Sequence, residues 1–295
     1  MTERGRLRRV LARWGLHAVV GLSVLLWMVP TIGLFITSLR PYDRIVHSGW
    51  WTVLLRPAEW TRLTLANYGE ALGQAGLGQA FLNSLKITLP ASILPILLAA
   101  MAAFAFALLP LRGKRPLMVL LVALIVVPIQ VTFVPLLRLY NGVDLSGTYL
   151  GVWLAHTGYG LPLMIYLLHN FFRTLPRELM EAAAIDGASH WRVFWRIVLP
   201  LSTPALASVF VLHVLWVWND LLVALVFLGP SSDVAPLTVR IVGLVGLQGQ
   251  NWHLLTAGAF VSMIVPLLVF FGMQRFLVSG LLAWSGVGRG GANGR

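Results

Sequence analysis

The chain has no cysteine. That absence excludes disulfides, thiolate metal sites and cysteine nucleophiles, and leaves the compartment open. Charge is the second scarcity. Only 11% of the 295 residues are charged, against about a quarter in soluble domains. A chain so poor in charge cannot cover a water-facing surface. Catalytic signatures are missing too. Gly113-Lys114-Arg115 lacks the upstream glycine and the Ser or Thr of a phosphate-binding loop, and no two histidines four apart flank a zinc-protease glutamate. The chain therefore carries no ATP-hydrolysing machinery of its own, and neither cofactor nor metal is expected. Linkers rich in proline or serine and strong internal repeats are also lacking, so residues 1–295 read as one transmembrane domain.

What is present is apolar length. Hydrophobic residues make up 58% of the chain, and six runs reach the roughly 20 residues that a spanning helix needs. They cover 16–39, 84–109, 117–137, 149–172, 204–228 and 254–277. Backbone groups in lipid must bond within their own segment, and the runs lack the alternation of barrel strands. The expected fold is thus an all-α integral membrane protein with six transmembrane helices. Prolines inside the runs are tolerable because neighbouring helices can satisfy the freed carbonyls. Alanines such as Ala99, Ala100 and Ala103 suit close helix packing or simply good helix formation.

The basic residues set an orientation. Arg4, Arg6, Arg8, Arg9 and Arg13 precede the first run, Arg112, Lys114 and Arg115 crowd the second connection, and Arg173, Arg177, Arg192 and Arg196 lie in the fourth. If both termini share a side, all these groups fall on it, and the positive-inside rule makes that side the cytoplasm. Residues 1–15 and 283–295 are then cytoplasmic and 41–83 external. Arg40, Arg44, Arg56 and Arg62 in the external segment weaken the bias without reversing it. The net charge of +12 belongs to this flanking pattern and not to nucleic-acid binding. The first run is too long for a signal-peptide core of about 7–15 residues and is expected to be retained.

The connection 173–203 is the one long polar stretch between apolar runs. Pro176 suits a first helical turn, residues 177–185 can form about two turns, and Asp186-Gly187 is a stop signal because glycine accepts positive φ. Ser189 can cap a second helix, in which Trp191, Phe194, Trp195 and Val198 fall on one face. Pro200 and Pro204 then turn the chain back. Either the segment is an interfacial connector, or its small alanines and its carboxylates Glu178, Glu181 and Asp186 receive a partner.

Glu181, Ala182, Ala183, Gly187, Ile197, Leu199 and Pro200 keep a spacing that resembles the EAA coupling loop of ABC importer permeases. The resemblance implies a cytoplasmic coupling helix between the fourth and fifth spans. Glu181, Ala182, Ala183, Asp186 and Gly187 would dock on an ATP-binding cassette subunit, with Ile197, Leu199 and Pro200 completing the motif. Leu65-Ala66-Asn67-Tyr68, Phe81-Leu82-Asn83-Ser84-Leu85, Pro128 and Trp218-Asn219-Asp220 look similar to the carbohydrate-importing, maltose-type group, although Asp220 stands where that group more often has Glu and Ser279 where it has a basic residue. By implication the chain is a permease subunit of the bacterial or archaeal cell membrane, importing a sugar or sugar-like solute and forming half of the translocation path. Its implied partners are a pair of ATPases, a second and commonly different permease chain, and an extracytoplasmic solute-binding protein that would meet Trp50, Trp51, Trp60 and Tyr68.

Ionisable groups inside a span point to function or to a polar helix contact. Trp218, Asn219 and Asp220, with His213 two turns earlier, offer a sugar an aromatic face, donors and acceptors. The same residues can equally serve a neighbouring helix. Gln130, His156 and His169 are weaker candidates. The alternative function is an ion-gradient-driven secondary transporter, which needs a coupled intramembrane relay that Asp220 alone does not make. A membrane-embedded enzyme would need a nucleophile beside a base, and none is evident.

Overall fold

A computed structural model describes residues 3–229, 233–245 and 251–285, with side chains described for 13–229, 233–245 and 251–276. The side chains of Arg4, Arg6, Arg8 and Arg9, the expected contribution of Ser279, and residues 286–295 of the tail lie outside this description. Among the described residues every regular element is helical. The chain forms two compact units, Met1–Gly78 with Gly243–Val261 and Gln79–Val242 with Ser262–Arg295.

The first unit opens with α1 (Glu3–Ser38), followed by the short helices α2 (Tyr42–His47), α3 (Thr52–Leu55) and α4 (Ala66–Leu72). Its polar residues tie the chain to itself. Asn67 donates from Nδ2 to the carbonyls of Ser38 and Arg40, each at 2.8 Å, and the Tyr68 hydroxyl lies 2.7 Å from Ser38 Oγ. Arg40 is only 2% exposed, and its guanidinium donates to the carbonyls of Ser48 (2.9 Å) and Arg44 (3.0 Å). This arginine, which counted against the charge asymmetry, is therefore built into a turn.

The second unit is organised around α5 (Leu77–Leu108), α6 (Lys114–Val126), α7 (Phe133–Gly142) and α8 (Tyr149–Phe172). The expected fourth run coincides with α8. The third does not form one helix. After α6 the chain bends by 95° into a 3-10 turn and α7. The cause is Pro128. The residue before a proline is driven from helical to extended backbone, and Val127 has ψ 122°. A run that reads as continuous by hydropathy is thus broken by local sterics.

Beyond α8 come α9 (Arg177–Ile185), α10 (His190–Val193), a π turn over Phe194–Val198, α11 (Leu199–Leu201) and α12 (Thr203–Trp218). The segment His190–Leu201 meets α12 at 75°, between Pro200 and Pro204 as those prolines imply. The fifth run is also interrupted, because α12 ends at Trp218 and α13 (Leu222–Leu228) starts after a break at Asn219–Leu221. The helices α14 (Leu237–Gly243) and α15 (Trp252–Ser285) complete the fold. Among the described residues, three helices are long and apolar enough to cross a membrane, or up to five if each bent pair counts as one span.

The second unit has two buried clusters. One gathers Ala99, Ala103 and Phe104 of α5, Leu168 and Phe172 of α8, Ala183, Phe194, Val198 and Val209. The other gathers Ile87 and Ala91 of α5, Phe133 and Tyr140 of α7, Val152 of α8, Val217, and Val223 and Phe227 of α13. The helices α5 and α8 run through both, so they form the frame on which each candidate site is mounted.

Three prolines inside the long helices have found partners. A proline at position i cannot donate to the carbonyl at i−4. Pro90 and Pro95 in α5 thereby free Lys86 and Ala91, and Pro266 in α15 frees Ser262. Trp153 Nε1 donates to the Lys86 carbonyl at 3.0 Å, His213 Nε2 to Ala91 at 3.0 Å, and Trp218 Nε1 to Ser262 at 2.9 Å. Each ring N–H comes from a different helix than the carbonyl it serves. Since a carbonyl only accepts, the proton of neutral His213 sits on Nε2.

Candidate functional site

The connection 173–203 folds as its local signals predict. Helix α9 follows Pro176, which stands just before the first turn and not within it. It ends in a Schellman closure. The Gly187 N–H donates to the Ala184 carbonyl at 3.1 Å, and the Ala188 N–H to the Ala183 carbonyl at 2.9 Å. Gly187 has φ +70°, and a Cβ there would meet nothing within 4 Å. Glycine is required by backbone conformation alone. Ser189 Oγ then accepts the Arg192 N–H at 3.4 Å and caps α10.

Burial divides the motif into two faces. Glu181, Ala182, Asp186 and Gly187 are exposed, and Ile185 beside them is 87% exposed. Ala183 points inward at 7% exposure, and Ile197 and Leu199 pack on the same internal cluster; Pro200 is exposed. So Ala183 lies on the face that lets α9 approach its own core, while Ala182 lies on the outer face. Ile185 was not singled out from the sequence. Its position three residues after Ala182 on an exposed stripe is the signal that would have found it.

On the following helix the rings of Trp191, Phe194 and Trp195 lie against one another, with centroids 5.3 to 6.0 Å apart, but only part of this face is covered. Val193, Phe194 and Val198 are buried, whereas Trp191 and Trp195 are 62% and 44% exposed. A π turn covers Phe194–Val198.

The second candidate group sits at the break between α12 and α13. Asp220 accepts the Val223 N–H at 3.3 Å and the Ala224 N–H at 2.9 Å, so its carboxylate closes the first turn of α13. Thr238 Oγ1 donates to the Asp220 carbonyl at 2.6 Å. His156 Nε2 lies 3.8 Å from the carboxylate. The structure thus joins Asp220 to His156, a weaker candidate in the sequence, and not to His213. His213 and His156 share Trp216 between them, with ring centroids 5.1 and 5.3 Å away. A Cβ on Gly160 would run into the His213 ring, which is why α8 carries a glycine opposite it.

Trp218 is 3% exposed, with its edge against Phe81 at 5.5 Å. In this conformation its indole faces protein. Asn219 is exposed and donates from Nδ2 back to Leu215 at 2.8 Å. Gln130 and Thr132 lie in the 3-10 turn after Pro128, where the Thr132 hydroxyl is 2.8 Å from Tyr159. Asn83 is the polar residue whose weight the sequence understated. Its Nδ2 donates to Asp233 (2.7 Å) and Ala235 (3.1 Å), its Oδ1 accepts from Tyr149 (2.7 Å), and neighbouring Ser84 Oγ accepts the Leu237 N–H (2.8 Å). That pair fixes the chain between α13 and α14 to α5.

Comparison with known proteins gives this geometry a context. Residues 95–282 match the family described as binding-protein-dependent transport system inner membrane component. The chain is 55% identical to the osmoprotective compounds uptake permease protein GgtD of Synechocystis sp., over 92% of this chain and 91% of that one. It is 41% identical to the alpha-glucoside transport system permease protein AglG of Rhizobium meliloti, over 94% and 98%. Its fold is similar to that of a chain in the crystal structure of a bacterial ABC transporter involved in the import of the acidic polysaccharide alginate. There the TM-score is 0.73 at 17% identity, over 93% of this chain and 98% of that one.

Proposed function

The chain belongs to the family of binding-protein-dependent transport system inner membrane components, and from that membership we propose a solute class, a topology and a set of coupling residues. It is the permease subunit of an ATP-driven ABC importer. It is a transport component and not an enzyme, and ATP is hydrolysed on a separate partner chain. Membership in this family sets aside the gradient-driven alternative.

The solute is a sugar or a sugar-like osmolyte. The names of the relatives support this, being permeases for osmoprotective compounds, for alpha-glucosides and, in Bacillus subtilis, for melibiose, raffinose and stachyose. The chain acts as a single permease domain with six spans, the bent third and fifth each counting as one, and with 1–15, 173–203 and 283–295 in the cytoplasm. It forms half of the path, a second permease chain forms the other half, and a binding protein delivers solute from outside. A related crystal structure is described as an alginate transporter in complex with a pentasaccharide-bound periplasmic protein. The exposure of Trp51 and Trp60, both more than half exposed, supports their meeting such a protein.

Coupling runs through the outer stripe of α9. Glu181, Ala182, Asp186 and Gly187 face the ATPase, while Ala183, Ile197 and Leu199 carry its motion into the α5–α8 frame, and Pro200 directs the chain into α12. The observation that carries this reading is the glycine closure between a solvent-facing helix and a core-facing one. Asn219, exposed at the break, contacts solute, and Trp218, Asp220 and His213 hold the break in shape behind it. The test is to express the chain with its partner subunits and replace Ile185 with Glu. The docking reading expects normal membrane insertion with loss of the co-purified ATPase. Retention of the ATPase together with normal solute uptake would overturn it, and labelling of residue 185 from outside intact cells would overturn the topology.

A further inference from the structure

We infer that the end of the second unit formed by α6, α8 and α9 holds the headgroup of an anionic phospholipid. The inference rests on the membrane-permease reading. A cavity of about 530 Å³ opens there, and Lys114, Arg115, Arg173 and Arg177 all line it. No carboxylate is among its lining residues. The sequence makes that asymmetry emphatic, because from Ala71 to Arg177 the only acidic residue is Asp144. Among the described residues, none of the four cations is in an ion pair.

Membrane orientation calls for basic residues on one side. It does not call for four of them to converge on one hollow, where they repel each other unless an anion is present. Nor does helix electrostatics account for them all. Arg173 at the end of α8 complements the helix dipole, but Lys114 and Arg115 open α6, where the dipole disfavours cations. An anion in the cavity resolves both conflicts.

The surface beside the cavity says what kind of anion. Val119 lines the hollow and is 69% exposed, and Val122 and Val126 continue its face of α6 at 39% and 78% exposure. At three- and four-residue steps these form one apolar strip running about 10 Å along the helix. A phosphate with acyl chains attached fits a basic hollow that continues into such a strip. A free phosphate leaves the strip bare. Basic pockets between spanning helices are the usual receptors for anionic headgroups.

The experiment uses the assembled transporter, purified in detergent and offered equal amounts of phosphatidylglycerol and phosphatidylcholine with the same acyl chains. Retained lipids are counted by native mass spectrometry. The wild type is expected to retain phosphatidylglycerol preferentially, and Lys114→Gln with Arg115→Gln to lower that preference at least about tenfold, since each cation near an anionic surface contributes roughly a factor of five. The charge-keeping pair Lys114→Arg with Arg115→Lys should retain it, which separates charge from folding. Three outcomes overturn the inference: equal retention of both lipids by the wild type, unchanged preference in the Gln pair, or displacement of the bound lipid by millimolar inorganic phosphate. A crosslink from position 115 to an acidic residue of a partner subunit, in place of lipid, also overturns it. Solute-stimulated ATPase activity measured in phosphatidylcholine vesicles keeps the two readings apart, because its absence together with loss of the ATPase subunit indicts the permease assignment, whereas its presence with no lipid preference indicts only the lipid site.

Discussion

The two ends of the α5–α8 frame are fastened by opposite means. At one end, α9 and α10 are shaped by bonds between residues close in sequence: a glycine closure over 183–188 and a serine cap over 189–192. Their attachment to the frame is apolar, through Ala183, Phe194 and Val198. At the other end, the break at Asn219–Leu221 is held by polar bonds from distant segments, with His156 near Asp220, Thr238 on its carbonyl and Trp218 on Ser262. An element shaped locally and attached by packing can move as a rigid piece. An element shaped by long-range polar bonds keeps its form only while its neighbours stay in place.

Four substitutions sharpen or break that contrast. The largest effect is expected of Gly187→Val. A non-glycine residue at φ +70° costs about 1–2 kcal/mol, and the strain falls on the turn that orients the exposed stripe. Uptake in vesicles should drop more than tenfold with the protein still inserted, whereas Gly187→Asn, which tolerates that conformation, should keep most of it. Next is Asp220→Ala. Removing the cap of α13 is worth about 1–2 kcal/mol, to be read as a lower midpoint in detergent–denaturant unfolding. Asp220→Asn keeps an acceptor and should lose less. Trp218→Phe comes third. It removes the indole N–H that donates to the Ser262 carbonyl, and an interhelical hydrogen bond in membranes averages about 0.6 kcal/mol with a maximum near 1.7. The smallest is Ser189→Ala at an exposed cap, about 0.5–1 kcal/mol, followed by hydrogen exchange in 190–193. The Asp220 cap is itself local, reaching N–H groups three and four residues on, so Trp218→Phe is the substitution that tests distant fastening.

The same contrast explains what is legible in the sequence. The helix, turn and cap of 177–193 can be read because glycine, serine and proline act on their own neighbours. The fourth run matches α8 for a similar reason, since Thr148 caps its start at Gly151 and the one proline inside it does not break it. The interruptions are harder. Pro128 breaks a helix while Pro90, Pro95 and Pro266 do not, and the last three are rescued by rings remote in sequence. The break at Asn219–Asp220 needs Thr238 and a carboxylate turned toward α13, neither of which hydropathy registers. His213 and Trp218 look like ligand groups because their polar atoms stand in apolar runs. Their partners would have been found by counting four residues back from each proline. The division of the motif between Ala182 and Ala183 follows from which face of α9 meets the core, a fact of packing that spacing does not contain.

The pairing of imidazole and indole with carbonyls bared by proline has a mechanical corollary. Each carbonyl is a notch at one height on its helix, and each ring is a tooth seated in it. Sliding α12 one turn, about 5.4 Å, past α5 or α15 would strand an acceptor in hydrocarbon and lift its tooth out of place. Rigid-body tilting keeps the teeth seated. These three pairs thus resist sliding of one helix along another more than they resist tilting.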